Sequence, residues 1–234
     1  MFTRTLSRST SVLNTLVRKQ NLINSKFVNV NSKLNDFIPT CTRTYSNCGS
    51  PKATILIANG FEEIEAAVTL ELLRRASIDV TLTGLTEGII TGLNKLKVTP
   101  DQTFGECTTK NPIDALILTG GNCAVEAMKK NEDVIKLIKK QEESCKIVAA
   151  ICTAPLLLKH ACVFPKKCLT SHPSIKEELV KDFTYKEEDV VIDGKLITSR
   201  GPGTAHLFAL TMIVELVGAQ KAKQVAEACL YPHS

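Results

Sequence analysis

The chain has 234 residues, 44% of them hydrophobic, with a mean hydropathy of +0.04, enough apolar material for one sizeable core plus an appendage. No apolar run approaches the ~20 residues needed to cross a bilayer, so no membrane span is expected. The net charge of +5 would suggest nucleic acid, but residues 1–50 hold seven basic side chains against one acid, Asp36; that local +6 leaves 51–234 nearly neutral and removes the main support for a stable nucleic-acid partner.

Residues 1–45 are rich in Arg, Ser and Asn. Leu6, Val12, Leu13, Leu16 and Val17 form an apolar stripe with Arg4, Arg8 and Arg18 around it. This composition predicts an amphipathic mitochondrial transit peptide, with no continuous apolar core of the secretory kind. Arg43-Thr44-Tyr45-Ser46 resembles a matrix-peptidase site cut between Tyr45 and Ser46. The alternative is a disordered tail on a cytoplasmic protein. Nine scattered cysteines without CxxC spacing fit neither a metal site nor a small disulfide framework, and favour free thiols in a reducing compartment.

A folded domain over 52–232 follows. Ala53–Ala58 reads as a buried strand closed by Asn59-Gly60, and 62–76 as a helix whose Ile64, Val68 and Leu72 recur on one face. Ile78–Leu82 is a second strand, and the Gly- and Thr-rich 83–101 a hairpin region. Ala115–Leu118 runs into Thr119-Gly120-Gly121-Asn122, followed by a Lys-rich helical stretch over 124–143. Lys146–Ile151 then enters Cys152, and a helix follows to about Ala161. Cys168–Ser171 is a further strand ending at His172-Pro173. Val190–Ile192 and Leu196–Ser199 flank Asp193-Gly194, a two-residue hairpin turn. Arg200-Gly201-Pro202-Gly203 opens a long apolar helix closed by Gly218, and a last helix covers about 219–230. Strands alternating with helices, and apolar enough to be buried on both faces, predict an α/β three-layer sandwich on a mostly parallel sheet.

Ligands of such sheets sit at the carboxyl ends of the strands, where four segments carry unusual chemistry. Cys152 stands where a buried strand turns sharply into a helix, with small Ala150 and Ala154 two residues to either side, as a nucleophile elbow requires. The N–H of Thr153 and the helix start would stabilise a thiolate; a buried structural cysteine is the plainer alternative. Glu65 lies at the edge of its helix's apolar face, where burial would raise its pKa, or it is a solvated helix-start carboxylate, as Glu62 and Glu63 are expected to be. Gly120-Gly121 lets backbone N–H groups turn inward to form an oxyanion hole, or makes an ordinary turn. His172 is a proton shuttle or a helix-entry residue; Arg200 is an anion ligand or a surface pair. No dinucleotide or nucleotide-phosphate fingerprint occurs.

In their order, GFEEIEA, LTGGN, AAICTAP, TSHP and LITSRGPGT closely resemble the DJ-1 branch of the DJ-1/ThiJ/PfpI family over about 52–230. The match is weakest over 86–99, where Asn94, Lys95 and Thr99 stand in a region that often carries an interface cysteine and a basic residue. The resemblance implies a flavodoxin-like sandwich and a homodimer. It places the reactive cysteine at Cys152, its protonated glutamate at Glu65, a histidine at His172, the oxyanion glycine at Gly121 and an anion-binding arginine at Arg200. The activity implied is that of a cofactor-free glyoxalase or deglycase, without a metal, acting on methylglyoxal-type dicarbonyls or their glycated adducts. Protonated Glu65 would then hold the thiol pKa well below the ~8.5 of a free cysteine. A second reading makes the protein an oxidative-stress sensor and chaperone switched by Cys152 sulfinate. A cysteine amidase or peptidase is a third, weakened because no HxE or HxD pair follows Cys152.

Overall fold

The computed structural model describes residues 49–105 and 111–231. The expected leader therefore lies outside the described residues. The fold and the site lie in one compact unit that reaches to Val225.

Three apolar strands make the centre: β1 (Lys52–Ile57), β6 (Ala115–Leu118) and β7 (Ile147–Ile151). Ile55, Ile57, Ile117, Val148 and Ile151 are completely inaccessible to solvent. These runs do not alternate with polar residues because both faces of the sheet are covered by helices. Around them the sheet is completed by β2 (Asp79–Gly84), β5 (Gln102–Thr103), β10 (Val190–Asp193) and β11 (Leu196–Ser199), in the order β10-β11-β7-β6-β1-β2-β5. All neighbours are parallel except β10 and β11, the hairpin turned by Asp193-Gly194, where Gly194 takes φ 68°. Two small sheets lie outside it: β3 (Ile90–Thr91) with β4 (Lys97–Val98), and β8 (Cys168–Leu169) with β9 (Thr184–Tyr185). The strand expected at Cys168–Ser171 is thus two residues long and joins its own partner rather than the central sheet.

Helices α1 (Glu63–Arg75) and α6 (Ala205–Val217) pack on each other, while α2 (Asn122–Lys129), α3 (Glu132–Glu143) and α4 (Pro155–Ala161) pack together elsewhere on the sheet. The short α5 (Lys176–Leu179) and the final α7 (Ala219–Ala228) complete the set. Two sequence expectations are corrected. The single helical stretch over 124–143 is two helices, because Asn131 leaves helical geometry (φ −98°, ψ 105°) and its side chain accepts the N–H groups of Asp133 and Val134 at 3.0 and 3.2 Å. In α1 the buried stripe is Glu65, Ala66, Thr69, Leu72 and Leu73, whereas Ile64 is 50% exposed. Glu62 caps this helix by accepting the Glu65 N–H at 2.9 Å, and Gly120 bonds the Glu65 carboxylate; these polar contacts turn the Glu65 face inward.

From β1 the chain moves outward to β2 and then returns to β6 on the other side of β1. The crevice at the carboxyl ends of β1 and β6 is the position where doubly wound sheets bind ligands.

Candidate active site

The site begins with backbone geometry. Cys152 follows β7 with φ 63°, a left-handed conformation that costs a non-glycine residue ~1–3 kcal/mol and persists only where its surroundings impose it. Two long-range bonds impose it here: Cys152 N–H donates to the Ser199 carbonyl at 3.0 Å, and the Cys152 carbonyl accepts the His172 N–H at 2.8 Å. Ala150 and Ala154 are fully buried on either side. The side chain is 8% exposed. That small opening is compatible with attack on a small molecule.

Glu65 has no solvent exposure. Its Oε2 accepts the Gly120 N–H at 2.7 Å, while Oε1 has no hydrogen-bond partner among the described residues. Burial pushes the carboxyl up to about 7, the Gly120 bond opposes this, and the charge of nearby Glu62 adds to it. Burial also pushes the Cys152 thiol up to about 12; an ionised Glu65 adds to the rise, and the Thr153 N–H opposes it. Sulfur and carboxyl are close enough to interact directly. Burial and the repulsion of two adjacent negative charges both oppose full ionisation, so the pair shares a proton and titrates as a unit. The thiol pKa expected well below that of free cysteine is corrected to this extent: beside an ionised Glu65 the thiol is raised, because a second negative charge would be buried next to the first.

Gly120 is the residue that makes this approach sterically feasible. A methyl group there would stand 2.6 Å from Cys152 Cβ, 2.9 Å from Glu65 Oε2 and 3.0 Å from Cys152 Sγ. Gly121 has φ 101°, and a side chain there would meet the Gly60 carbonyl oxygen at 2.1 Å. The Gly120 N–H is committed to Glu65, whereas the Gly121 N–H has no partner among the described residues. Thr153 is buried and follows the elbow, its N–H acting on the sulfur.

Cys152, Glu65, Gly121 and Thr153 are thus brought together. His172 joins through its backbone; its ring is exposed, with Nδ1 2.8 Å from Ser174 Oγ and accepting the Ser174 N–H at 3.2 Å. That acceptance assigns the neutral ring's proton to Nε2. Arg200 is half-buried directly after the Ser199 carbonyl that holds Cys152; its charge acts on Glu187 after that of Lys176, and it makes no side-chain hydrogen bond among the described residues. Glu62 and Glu63 correct the expectation of solvated carboxylates. Both are buried: Glu62 caps α1, and Glu63 accepts the Asn94 N–H and Nδ2. Sequence reading gave Ser199 no role in the site, because its carbonyl reaches Cys152 only when β11 pairs with β7. Among the described residues no group of three or more His, Cys, Asp or Glu is placed to hold a metal, and no helix is long and apolar enough to cross a membrane.

A strained cysteine at a strand–helix elbow, beside a buried carboxyl at the switch point of a parallel sheet, defines a class of α/β proteins with a cysteine at the carboxyl end of the sheet. Within that class the chain belongs to the DJ-1/PfpI family, whose profile matches residues 51–215. Protein dj-1beta of Drosophila melanogaster is 37% identical over 187 residues, covering 79% of this chain and 100% of that protein. The crystal structure of Drosophila melanogaster DJ-1beta aligns with a TM-score of 0.77 at 38% identity, over 79% of this chain and 100% of that one. A Pyrococcus abyssi protein named as a deglycase is 33% identical over 156 residues, 66% of this chain and 93% of its own.

Proposed function

We propose that the protein is a cysteine-dependent glyoxalase or deglycase that removes methylglyoxal-type dicarbonyls or their early adducts with protein amines and thiols. The observation that carries this reading is the buried Glu65 carboxyl, pushed up to about 7 beside Cys152 and able to keep a proton at neutral pH. The reactive form is the one in which Glu65 holds the pair's proton and Cys152 is the thiolate; it is the minor form of the pair, and attack draws on it. Sγ bonds to the aldehyde carbon, and the resulting oxyanion takes the N–H groups of Gly121 and Thr153. Protonation gives a hemithioacetal. Moving its carbon-bound proton to the neighbouring keto carbon, with Glu65 and His172 exchanging protons, gives a lactoyl thioester. Water cleaves that ester to lactate and regenerates the thiol. One carbon is oxidised as its neighbour is reduced, so the conversion consumes no external oxidant, reductant or cofactor. Arg200 would hold an anionic group of an adduct or product.

Lactate release from methylglyoxal by the pure protein, measured beside Cys152→Ala, tests this reading; equal rates in the two proteins would overturn it. The deglycase-named relative and family membership support the reading.

A second reading rests on Glu65 Oε1, buried beside the thiol without a partner among the described residues. Peroxide would oxidise Cys152 to a sulfinate that accepts the Glu65 proton, and the altered surface would change partner binding or chaperone behaviour. Mass spectrometry after mild peroxide treatment, with Glu65→Asp as comparison, checks whether oxidation stops at that stage.

A further inference from the structure

The phenol of Tyr185 sits in β9, outside the central sheet and away from the residues given roles above. It is half-buried, and its hydroxyl donates to the Ser171 carbonyl at 3.1 Å. That carbonyl belongs to the Ser171–His172 peptide, whose N–H donates to the Cys152 carbonyl at 2.8 Å. The Cys152 carbonyl in turn belongs to the Cys152–Thr153 peptide, whose N–H acts on the Cys152 sulfur. Hydroxyl, peptide, peptide and sulfur therefore form one directional series. Each donor polarises the group it bonds, and the next N–H becomes a stronger donor in consequence. Ser171 is fully buried; its Oγ lies 3.2 Å from the phenolic oxygen and donates to the His172 carbonyl at 3.0 Å, holding the turn in place.

We infer that Tyr185 is a positioning residue for the nucleophile, stabilising the Cys152 thiolate through the two intervening peptide units and fixing the elbow's left-handed backbone. It touches neither substrate nor sulfur. The inference deepens the proposed reading of the Cys152 site, but its readout needs no substrate. The charged groups facing Cys152 are Glu65 and Glu62; those facing the phenol are Lys176, with Nζ 5.6 Å from the ring centroid, and Glu187, paired with Lys176 at 2.6 Å. None of these changes in the variants below.

Cys152 is titrated by ultraviolet thiolate absorbance and by its rate of alkylation with iodoacetamide, each as a difference from a matched Cys152→Ala protein. Tyr185→Phe removes the first donor and should move the Cys152 titration upward by ~0.5 unit, slowing alkylation about threefold at a fixed pH below it. Replacing Tyr185 by 3-fluorotyrosine keeps the shape and strengthens the O–H donor, and should move the titration downward. Opposite signs establish the series. Unmoved titrations, or shifts of the same sign in both proteins, would overturn it and leave Tyr185 a packing residue. Should Tyr185→Phe not fold, the fluorotyrosine protein decides alone. A wild-type protein that makes no lactate counts against the proposed activity and leaves this test untouched, because the thiol still titrates.

Discussion

Cys152 and Glu65 form a site because two acids that would ordinarily ionise separately are buried against each other. Folding raises both, to about 12 and about 7. Glu65 has an ordinary value of 4.5, so between pH 4.5 and 7 the folded chain binds more protons than the unfolded one, and stability falls as pH rises through that window. The effect is on the order of 3 kcal/mol at most. Urea unfolding at pH 5 and pH 7.5 should show this loss in the wild type and a much smaller one in Glu65→Gln. Thiolate absorbance locates the shared proton: a rise through about pH 7 places it on Glu65, as the proposed chemistry needs, whereas a rise only near 12 places it on sulfur. Gly120→Ala should abolish reactivity, because the new methyl group would lie 2.6 Å from Cys152 Cβ; we expect a stability loss of ~1–3 kcal/mol and no alkylation of Cys152 at neutral pH.

Single polar side chains decide several features of the elements. Asn131 ends one helix and begins the next, and Asn131→Ala should cost ~1 kcal/mol in urea unfolding without affecting lactate production. At the other side of the site, the β3–β4 hairpin is tied to the turn before α1. Gly60 N–H donates to the Thr91 carbonyl at 2.8 Å, Leu93 N–H to the Phe61 carbonyl at 2.8 Å, and Asn94 to the Glu63 carboxylate. Burial pushes the Glu63 carboxyl up, but its own backbone N–H and then the Asn94 bonds outweigh this and hold it below its ordinary range. Glu63→Ala should accordingly speed amide exchange at Leu93 and Asn94 while leaving β1 and β7 protected.

Ile64, Ile89, Leu93 and Leu96 are 50, 60, 51 and 49% exposed, four large apolar side chains on the start of α1 and the hairpin tied to it. Such exposure is unusual for a monomer and supports the proposed homodimer. Sedimentation equilibrium should show a dimer at micromolar concentration, and Leu96→Glu should shift it toward monomer; a wild-type monomer under those conditions would refute the dimer. For the proposed mitochondrial import, N-terminal sequencing of the endogenous protein should find a start at Ser46, and an intact Met1 terminus would refute it.

The sequence alone determined the order of the central strands and long helices, the α/β class and the elbow at Cys152, because buried parallel strands need unbroken apolar runs and tight turns need Ala and Gly at fixed offsets. It also showed which motifs could supply chemistry. Tertiary structure alone decided which face of α1 is buried, since Ile64 and Glu65 compete for the core and the Gly120 N–H resolves the contest in favour of the carboxyl. It decided the phase of the helices around Asn131 and the placement of Cys168–Leu169 beside Thr184–Tyr185. It also decided that the two acids are coupled, because a pKa depends on the burial and neighbours that β1, β6 and β7 create together. Local pattern does not encode contacts such as Cys152 with Ser199 or Ser171 with Tyr185, which join residues distant in sequence only when the sheet has formed.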